Sequence, residues 1–339
     1  MKLLEIQPGA AGHQHLEAEL AGIDAVFCGA ELSSGAAGGE CEEREGFLAS
    51  AIKSSGTNIY TVRIGSKRVD GVGDAKDRFR IIRVSDGSSE FPSWHQLANW
   101  FRKYWSGKHL LLDLTTLSGS SLFQLYAAAT KAACTRVSFC YTTPERYPQV
   151  DRPDDVPPLV TRSIKQPHGY RCFVGDQSDE FRQHIIVLGF DRHRPNKFIE
   201  HYQWPTEEVH AIWGVPAYVQ GGEEQARLSL GPIFNELTRI DHVHKVDPKL
   251  LVSEGSAPGV VDVLQGLTYN GGAVDLVPLG PKPTLLACLI FWHKLSEERK
   301  EHTRFLFDFP VTRHVRTEGV GVTWLYRDVI DCARGAVRS

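Results

Sequence analysis

The chain lacks the features that sort most proteins at sight. No stretch of its 339 residues approaches the roughly 18 to 20 consecutive apolar residues of a membrane span. The N-terminal MKLLEIQPGAAGHQHLEAEL is too short in apolar residues for a signal peptide, and Glu5 interrupts it. The seven cysteines (28, 41, 134, 140, 172, 288, 332) are odd in number and include no CxxC pair. Several sit in apolar runs, where cysteine behaves as a small hydrophobe, and the reading is a reducing cytoplasm. GxxxxGK[ST] occurs nowhere, which excludes a Walker A loop, and no GxSxG elbow precedes a helix. The glycines at 35, 38 and 39 have the wrong spacing for GxGxxG. No metal or dinucleotide motif is therefore recognised, and the cofactor is unknown. Net charge is −3, so no global basic field points to duplex nucleic acid, although local basic clusters leave nucleic acid open.

What the chain does contain is an ordinary globular composition, 42% hydrophobic and 23% charged, enough for one large core or two of moderate size. Apolar strand-like runs at 22–32, 58–65, 78–85, 109–114, 136–142, 184–190, 209–219, 273–279, 303–309 and 320–326 alternate with helical segments. That rhythm predicts an α/β fold with mostly parallel sheets, helices on both faces and two similar lobes. The Pro- and acid-rich DRPDDVPPLV (151–160) marks the boundary. The expected lobes are 1–150 and 183–339, joined by a linker or crossover over 151–182. Residues 1–20 read as a lead-in or a short strand at LLEI, and the last two strand-like runs as an antiparallel pair. Trp94, Leu97, Phe101 and Trp105 fall on one helical stripe, expected in the core rather than as a ligand platform.

Two loops stand out, LLLDLTTLSGSS (110–121) and DLVPLGPKPT (275–284). Each ends an apolar strand and opens into an apolar helix, a geometry whose unpaired N–H groups and helix dipole favour anions. The first supplies Asp113, Thr115, Thr116, Ser118, Ser120 and Ser121; the alternative is that Ser120 or Ser121 merely caps the helix while Asp113 ends its strand. The second supplies Gly280, Lys282 and Thr284, with Pro283 suited to the first helical position; alternatively Lys282 is only solvated. Arg192 and Arg194 in DRHRPNK, and Arg313 and Arg316 near the last strand, can fork onto a phosphate or carboxylate, or face a protein partner. Because ligands of open α/β sheets bind beyond the carboxyl ends of the strands, these loops, with YTTPERY and GVPAYVQGG, are expected to form one rim, or two if the lobes separate.

The order strand, Asp-Leu-Thr, small residues, helix, followed by a strand ending in Tyr141-Thr142-Thr143-Pro144, resembles CARF-type Rossmann domains and related Rossmann-like proteins of prokaryotic anti-phage loci. The resemblance spans 109–147, and the Gly-Gly-Thr-Lys continuation common in CARF domains is replaced here by TTLSGSS. It implies a Rossmann-like, nucleotide- or anion-binding sensor or scaffold acting with a protein partner or as a homo-oligomer. A hydrolase- or glycosidase-type enzyme on nucleotides or nucleic acid, using Glu31, Asp113 or Asp191, is the alternative. An NAD-dependent oxidoreductase is a third, requiring the Gly-rich loop after the first strand to hold a pyrophosphate. Asp241-His242-Val243-His244 carries the HxH spacing of a metal pair but also suits a surface or capping role. His201, His210 and His293 read as ordinary amphipathic positions, and Glu40, Glu42, Glu43 and Glu45 as a solvated face or a metal or partner surface.

Overall fold

A computed structural model of the chain describes residues 2–29, 47–48, 50–51, 54–55, 58–64, 79–84, 92–132, 136–146, 161–164, 168–169, 182–189, 193–218, 222–254, 257–307, 310–313, 319–331 and 336–337. Two compact units result: Met1–Arg146 together with Thr317–Ser339, and Tyr147–Arg316. In chain order the first unit holds β1 (Lys2–Ile6), α1 (Ala10–Leu20), β2 (Ala25–Gly29), β3 (Asn58–Ile64), β4 (Phe79–Val84), α2 (Pro92–Tyr104), β5 (His109–Asp113), α3 (Gly119–Lys131) and β6 (Arg136–Thr142). The second holds β7 (Thr161–Ile164), β8 (His168–Gly169), β9 (Arg182–Val187), α4 (His193–Tyr202), β10 (Val209–Gly214), α5 (Gly222–Arg239), β11 (Val243–Val246) and α6 (Val260–Leu267). It continues through β12 (Ala273–Pro278), α7 (Lys282–Lys294), α8 (Glu297–Glu301), β13 (Thr303–Phe307) and β14 (Pro310–Arg313). β15 (Thr323–Asp331) and β16 (Ala336–Val337) return to the first unit.

The sheet of the first unit runs β1-β15-β6-β5-β2-β3-β4, with β16 beside β15; β6 through β4 are parallel, and β15 joins β6 and β1 antiparallel. The sheet of the second runs β11-β10-β9-β12-β13-β8, parallel except for the two-residue β8. The fold is thus α/β with two mostly parallel sheets. β5 and β12 are buried at every position, as befits parallel strands covered on both faces. Counted from its first parallel strand, each unit has the order 3-2-1-4-5. The order therefore reverses between β2 and β5 in one unit and between β9 and β12 in the other. Crevices beyond the carboxyl ends of the strands at such reversals are where open α/β sheets hold ligands.

Sequence and structure differ at two places. The last strand-like run, assigned to the second lobe and to a hairpin with 303–309, instead inserts as β15 between β6 and β1 of the first unit. Alternation marks a strand but does not choose its partner, and the neighbouring β13 pairs β12 in the other sheet. Part of the expected linker is strand, since β7 pairs β14 and β8 pairs β13. Of the two readings of residues 1–20, the short strand at LLEI is the one found, as β1, and the residues after it form α1, with Ile6, Leu16 and Leu20 in a cluster with Val26, Leu111 and Leu325. The aromatic stripe of α2 is core: Leu97, Phe101 and Trp105 are buried, and Phe101 stacks on Phe27 at 5.2 Å between centroids. The side chain of Trp94 lies outside the described residues. In the second unit α7 is buried at every residue from Pro283 to Phe291, matching its all-apolar LLACLIF run.

Candidate functional site

The DLTT turn of the first unit is bonded inward. Asp113 ends β5 with 1% exposure; its Oδ1 accepts from Thr115 N at 2.9 Å and from the Cys140 thiol at 3.7 Å, and its Oδ2 from the Thr116 hydroxyl at 2.6 Å. Burial raises the Asp113 carboxyl above its ordinary range, against the lowering pull of the Thr116 and Thr115 bonds. Burial and the adjacent Asp113 charge push the Cys140 thiol well up. Thr116 Oγ1 also accepts from Gly29 N at 2.8 Å, and Thr115 Oγ1 from Thr142 N at 2.8 Å. The turn so ties the ends of β2, β5 and β6 together. A Cβ on Gly29 would run into the backbone carbonyl of Thr116, so only glycine lets the turn lie across the reversal point. Ser118 caps α3 by accepting from Ser121 N at 3.1 Å, and the two hydroxyls are 2.8 Å apart.

The PLGPKP turn makes the corresponding clasp in the second unit without hydroxyls. Leu279 N donates to Val187 O at 3.0 Å, and a Cβ on Gly189 would stand 2.5 Å from Leu279 O. A Cβ on Gly280 would stand 2.6 Å from Thr284 Oγ1 and 2.9 Å from Val187 Cγ1. Both glycines therefore serve the packing of one turn on another. Lys282 begins α7 and is half-buried, but Pro283 has no N–H, and the backbone and hydroxyl of Thr284 both donate to Pro281 O, at 3.0 and 2.7 Å. The first turn of α7 thus presents fewer donors than the sequence pattern implies, and the Thr284 hydroxyl, expected at a ligand, is committed inside the fold.

An open cleft lies beside this clasp. It sits where β9, β10 and β11 end, is open to solvent, and its enclosed part measures about 30 Å³. Trp213 of β10 and Tyr218 of the following turn give it flat apolar walls, Glu223 of α5 its carboxylate, and Pro281 its border on the clasp. Gly189 and Gly214 line it without side chains; a Cβ on Gly214 would lie 2.9 Å from Pro248. Trp213 is held by the edge of Phe234, centroids 4.8 Å apart, and has the Lys245 ammonium 6.0 Å over its ring. Tyr218 OH donates to Pro248 O at 2.6 Å, and Glu223 Oε1 accepts from Ala217 N at 3.0 Å. The loop GVPAYVQGG was among the expected rim loops, but none of these three side chains was singled out. Nothing in one sequence marks a lone Trp, Tyr and Glu carried by a strand, a turn and a helix.

Nearer the amino ends of β9, β12 and β13 lies a second polar cluster. Asp275, fully buried in β12, accepts from Arg304 Nε and Nη2 at 2.6 Å each, with His184 Nδ1 at 3.1 Å and Arg182 Nη1 at 3.4 Å. Burial alone would raise this carboxyl; the His184 and Arg304 bonds and the Arg304 charge hold it below its ordinary range. His184 stacks on Trp204 with centroids 4.1 Å apart. On β10 and β11, His210 Nδ1 lies 3.2 Å from His244 Nε2, the His210 ring stacks on His242 at 4.2 Å, and His242 Nδ1 lies 3.0 Å from Val209 O. Burial, helped by the two neighbouring imidazoles, lowers His210 to about 4. Among the described residues no group of three His, Cys, Asp or Glu side chains is placed to hold a metal ion.

Of the remaining expected site residues, Arg194 is half-buried in the first turn of α4. Glu31, Asp191, Arg192 and Arg316 lie outside the described residues, as do the side chains of Ser120 and Arg313. Of the two arrangements expected from sequence, the loops divide between the two units, with residues 113–121 in the first and 189–284 in the second. Among the described residues no helix is long and apolar enough to cross a membrane.

No protein-family model matches the chain, and no curated protein does. Among solved structures it is similar to a functionally unknown protein from Pseudomonas aeruginosa PAO1, at 9% identity and TM-score 0.21 over 86% of this chain and 93% of that one. It is also similar to a putative universal stress protein from Pseudomonas aeruginosa UCBPP-PA14, at 10% identity and TM-score 0.21 over 86% and 94%. Likeness at this level carries no argument about the site, which rests on its own geometry.

Proposed function

We propose that this chain is a small-molecule-binding protein whose ligand is a nucleotide held in the cleft of the second unit. The observation that carries the reading is the position of that cleft. It opens at the carboxyl ends of parallel strands, beside the reversal between β9 and β12, where the strand order itself makes a ligand crevice. Flat apolar walls with one carboxylate suit a planar base joined to polar groups. Binding is favoured over catalysis because Asp113, a candidate base or nucleophile, has both oxygens bonded within its own turn.

The resemblance of residues 109–147 to CARF-type domains supports a sensor or scaffold role with partner proteins, and makes anti-phage defence the first setting to test. Mass spectrometry of small molecules and proteins that copurify with the native chain tests the reading. An intact nucleotide, with or without a stoichiometric partner, is the expected result. A converted nucleotide, released as product, would establish the enzyme alternative instead.

A further inference from the structure

Away from the cleft, the face that α2 and α3 give the first unit carries charge of one sign. Between residues 92 and 136 the chain has five cations, Arg102, Lys103, Lys108, Lys131 and Arg136, and one acid, the buried Asp113. All five cations are exposed. The fold gathers them: Arg102 Nη2 reaches Lys131 O at 3.5 Å, which joins the last turns of α2 and α3. Lys108 N donates to Trp105 O at 3.1 Å just after α2, and Arg136 N donates to Lys108 O at 3.4 Å where β5 and β6 begin. The other face of the sheet is covered by α1, which lies over Val26 and Leu111 and carries Glu17 and Glu19, whereas α2 lies over Phe27. Charge is thus segregated between two faces of one sheet, in a chain whose net charge is −3.

We propose that this face binds single-stranded nucleic acid, with phosphates on the cations and a base against the ring of Tyr104. Among the described residues only Lys108 of the five cations is in an ion pair, with Asp24 at 3.2 Å. Tyr104 is 53% exposed, while its neighbours Phe101 and Trp105 are buried. Its ring lies 5.0 Å from Lys103 Nζ and 5.9 Å from the ring of Trp100. A single strand offers both groups that such a surface uses, repeated phosphates and unpaired bases, and it does so whatever its sequence. A duplex keeps its bases stacked within and leaves the ring idle. An anionic membrane takes up apolar side chains as well as charge, and an acidic protein segment brings no flat base. Arg102, Lys103 and Lys131 also stand in the last turns of their helices, where cations offset the dipole. That competing role does not account for Lys108 and Arg136, which lie outside the helices.

Fluorescence anisotropy of the full chain with a labelled oligouridine of about 20 nucleotides tests the assignment, with a duplex of equal length, polyglutamate and phosphatidylserine vesicles as competitors. The single strand should bind, and its affinity should fall about tenfold or more between roughly 50 and 200 mM salt. Lys131→Gln with Arg136→Gln should weaken binding and flatten the slope of log affinity against log salt by about 1.4, or about 0.7 for each lost contact. Tyr104→Ala should weaken binding roughly 5- to 100-fold at an unchanged slope, and Tyr104→Phe should restore it. These side chains are exposed, so each variant should keep its melting temperature. A lowered melting temperature with single-strand affinity intact would overturn the proposal in favour of the helix-dipole role. Stronger competition by the duplex, polyglutamate or vesicles would overturn it in favour of that partner. Absence of single-strand binding at about 50 mM salt would overturn it outright, and would leave standing the nucleotide reading, which concerns the other unit.

Discussion

The two units share a strand order and differ in how they use it. In the first, the turn at the reversal point is built of hydroxyls, and every one whose bonds are seen is turned inward: Thr116 to Asp113 and Gly29, Thr115 to Thr142, Ser118 to Ser121. In the second, a Gly-Pro turn does the clasping through backbone and packing, and a cleft remains beside it. Polar residues in a post-strand turn are thus not in themselves a ligand site; the turn richer in hydroxyls is the more self-satisfied. The buried aspartates of the fourth parallel strand make the same point. Asp113 has neutral partners and is pushed up, whereas Asp275 has arginines and a histidine and is held down.

The comparison breaks most visibly at Asp275. Asp275→Asn leaves Arg304 and Arg182 facing no buried counter-charge and should cost about 3 to 5 kcal/mol, read by urea unfolding followed through hydrogen exchange in peptides of the second unit. A loss under about 1 kcal/mol would mean that the cluster is not a net ion pair.

Next come the clasps. Gly29→Ala and Gly189→Ala each force a side chain against a backbone carbonyl and should cost about 2 to 3 kcal/mol, each in its own unit. Thr116→Val should cost about 1 to 2 kcal/mol by stranding Gly29 N and an Asp113 oxygen, and should leave nucleotide affinity unchanged. A drop in affinity with Thr116→Val would return the first unit to consideration as the site.

Acid should separate the units by sign. The folded pKa of Asp275 lies below its ordinary 3.8, so its contribution is present above pH 3.8 and is lost as pH falls below that value. The folded pKa of Asp113 lies above 3.8, so its contribution is present below pH 3.8 and fades as pH rises through the folded value. His210, lowered from 6.5 to about 4, adds to the acid sensitivity of the second unit between those values, and buried His109, lowered to about 4 chiefly by desolvation, does the same in the first. The smallest effect expected is a shallower acid limb below pH 3.8 for Asp275→Asn than for Asp113→Asn in unfolding measured across pH.

Much of the fold was legible because strand-turn-helix spacing is local. HLLLD and AVDLVP read as buried strands from their unbroken apolar runs, and both reversal-point turns were located correctly in the chain. What could not be read was long-range. Nothing in VGVTWLY says that it pairs with β6 nearly 200 residues earlier, and His210 joins the His242–His244 pair only through the β10–β11 register. The cleft is illegible for the same reason, since Trp213, Tyr218 and Glu223 form no spacing motif. A signal for the Asp275 cluster did exist: Arg182, His184, Asp275 and Arg304 are charged or titratable residues within apolar strand runs, where such groups need partners.

The most direct test of where the ligand sits is hydrogen exchange of the full chain with and without a saturating ribonucleotide. Protection confined to peptides covering 188–189, 213–226 and 278–285 is the predicted result. Protection of 110–121 with those segments unchanged would contradict it.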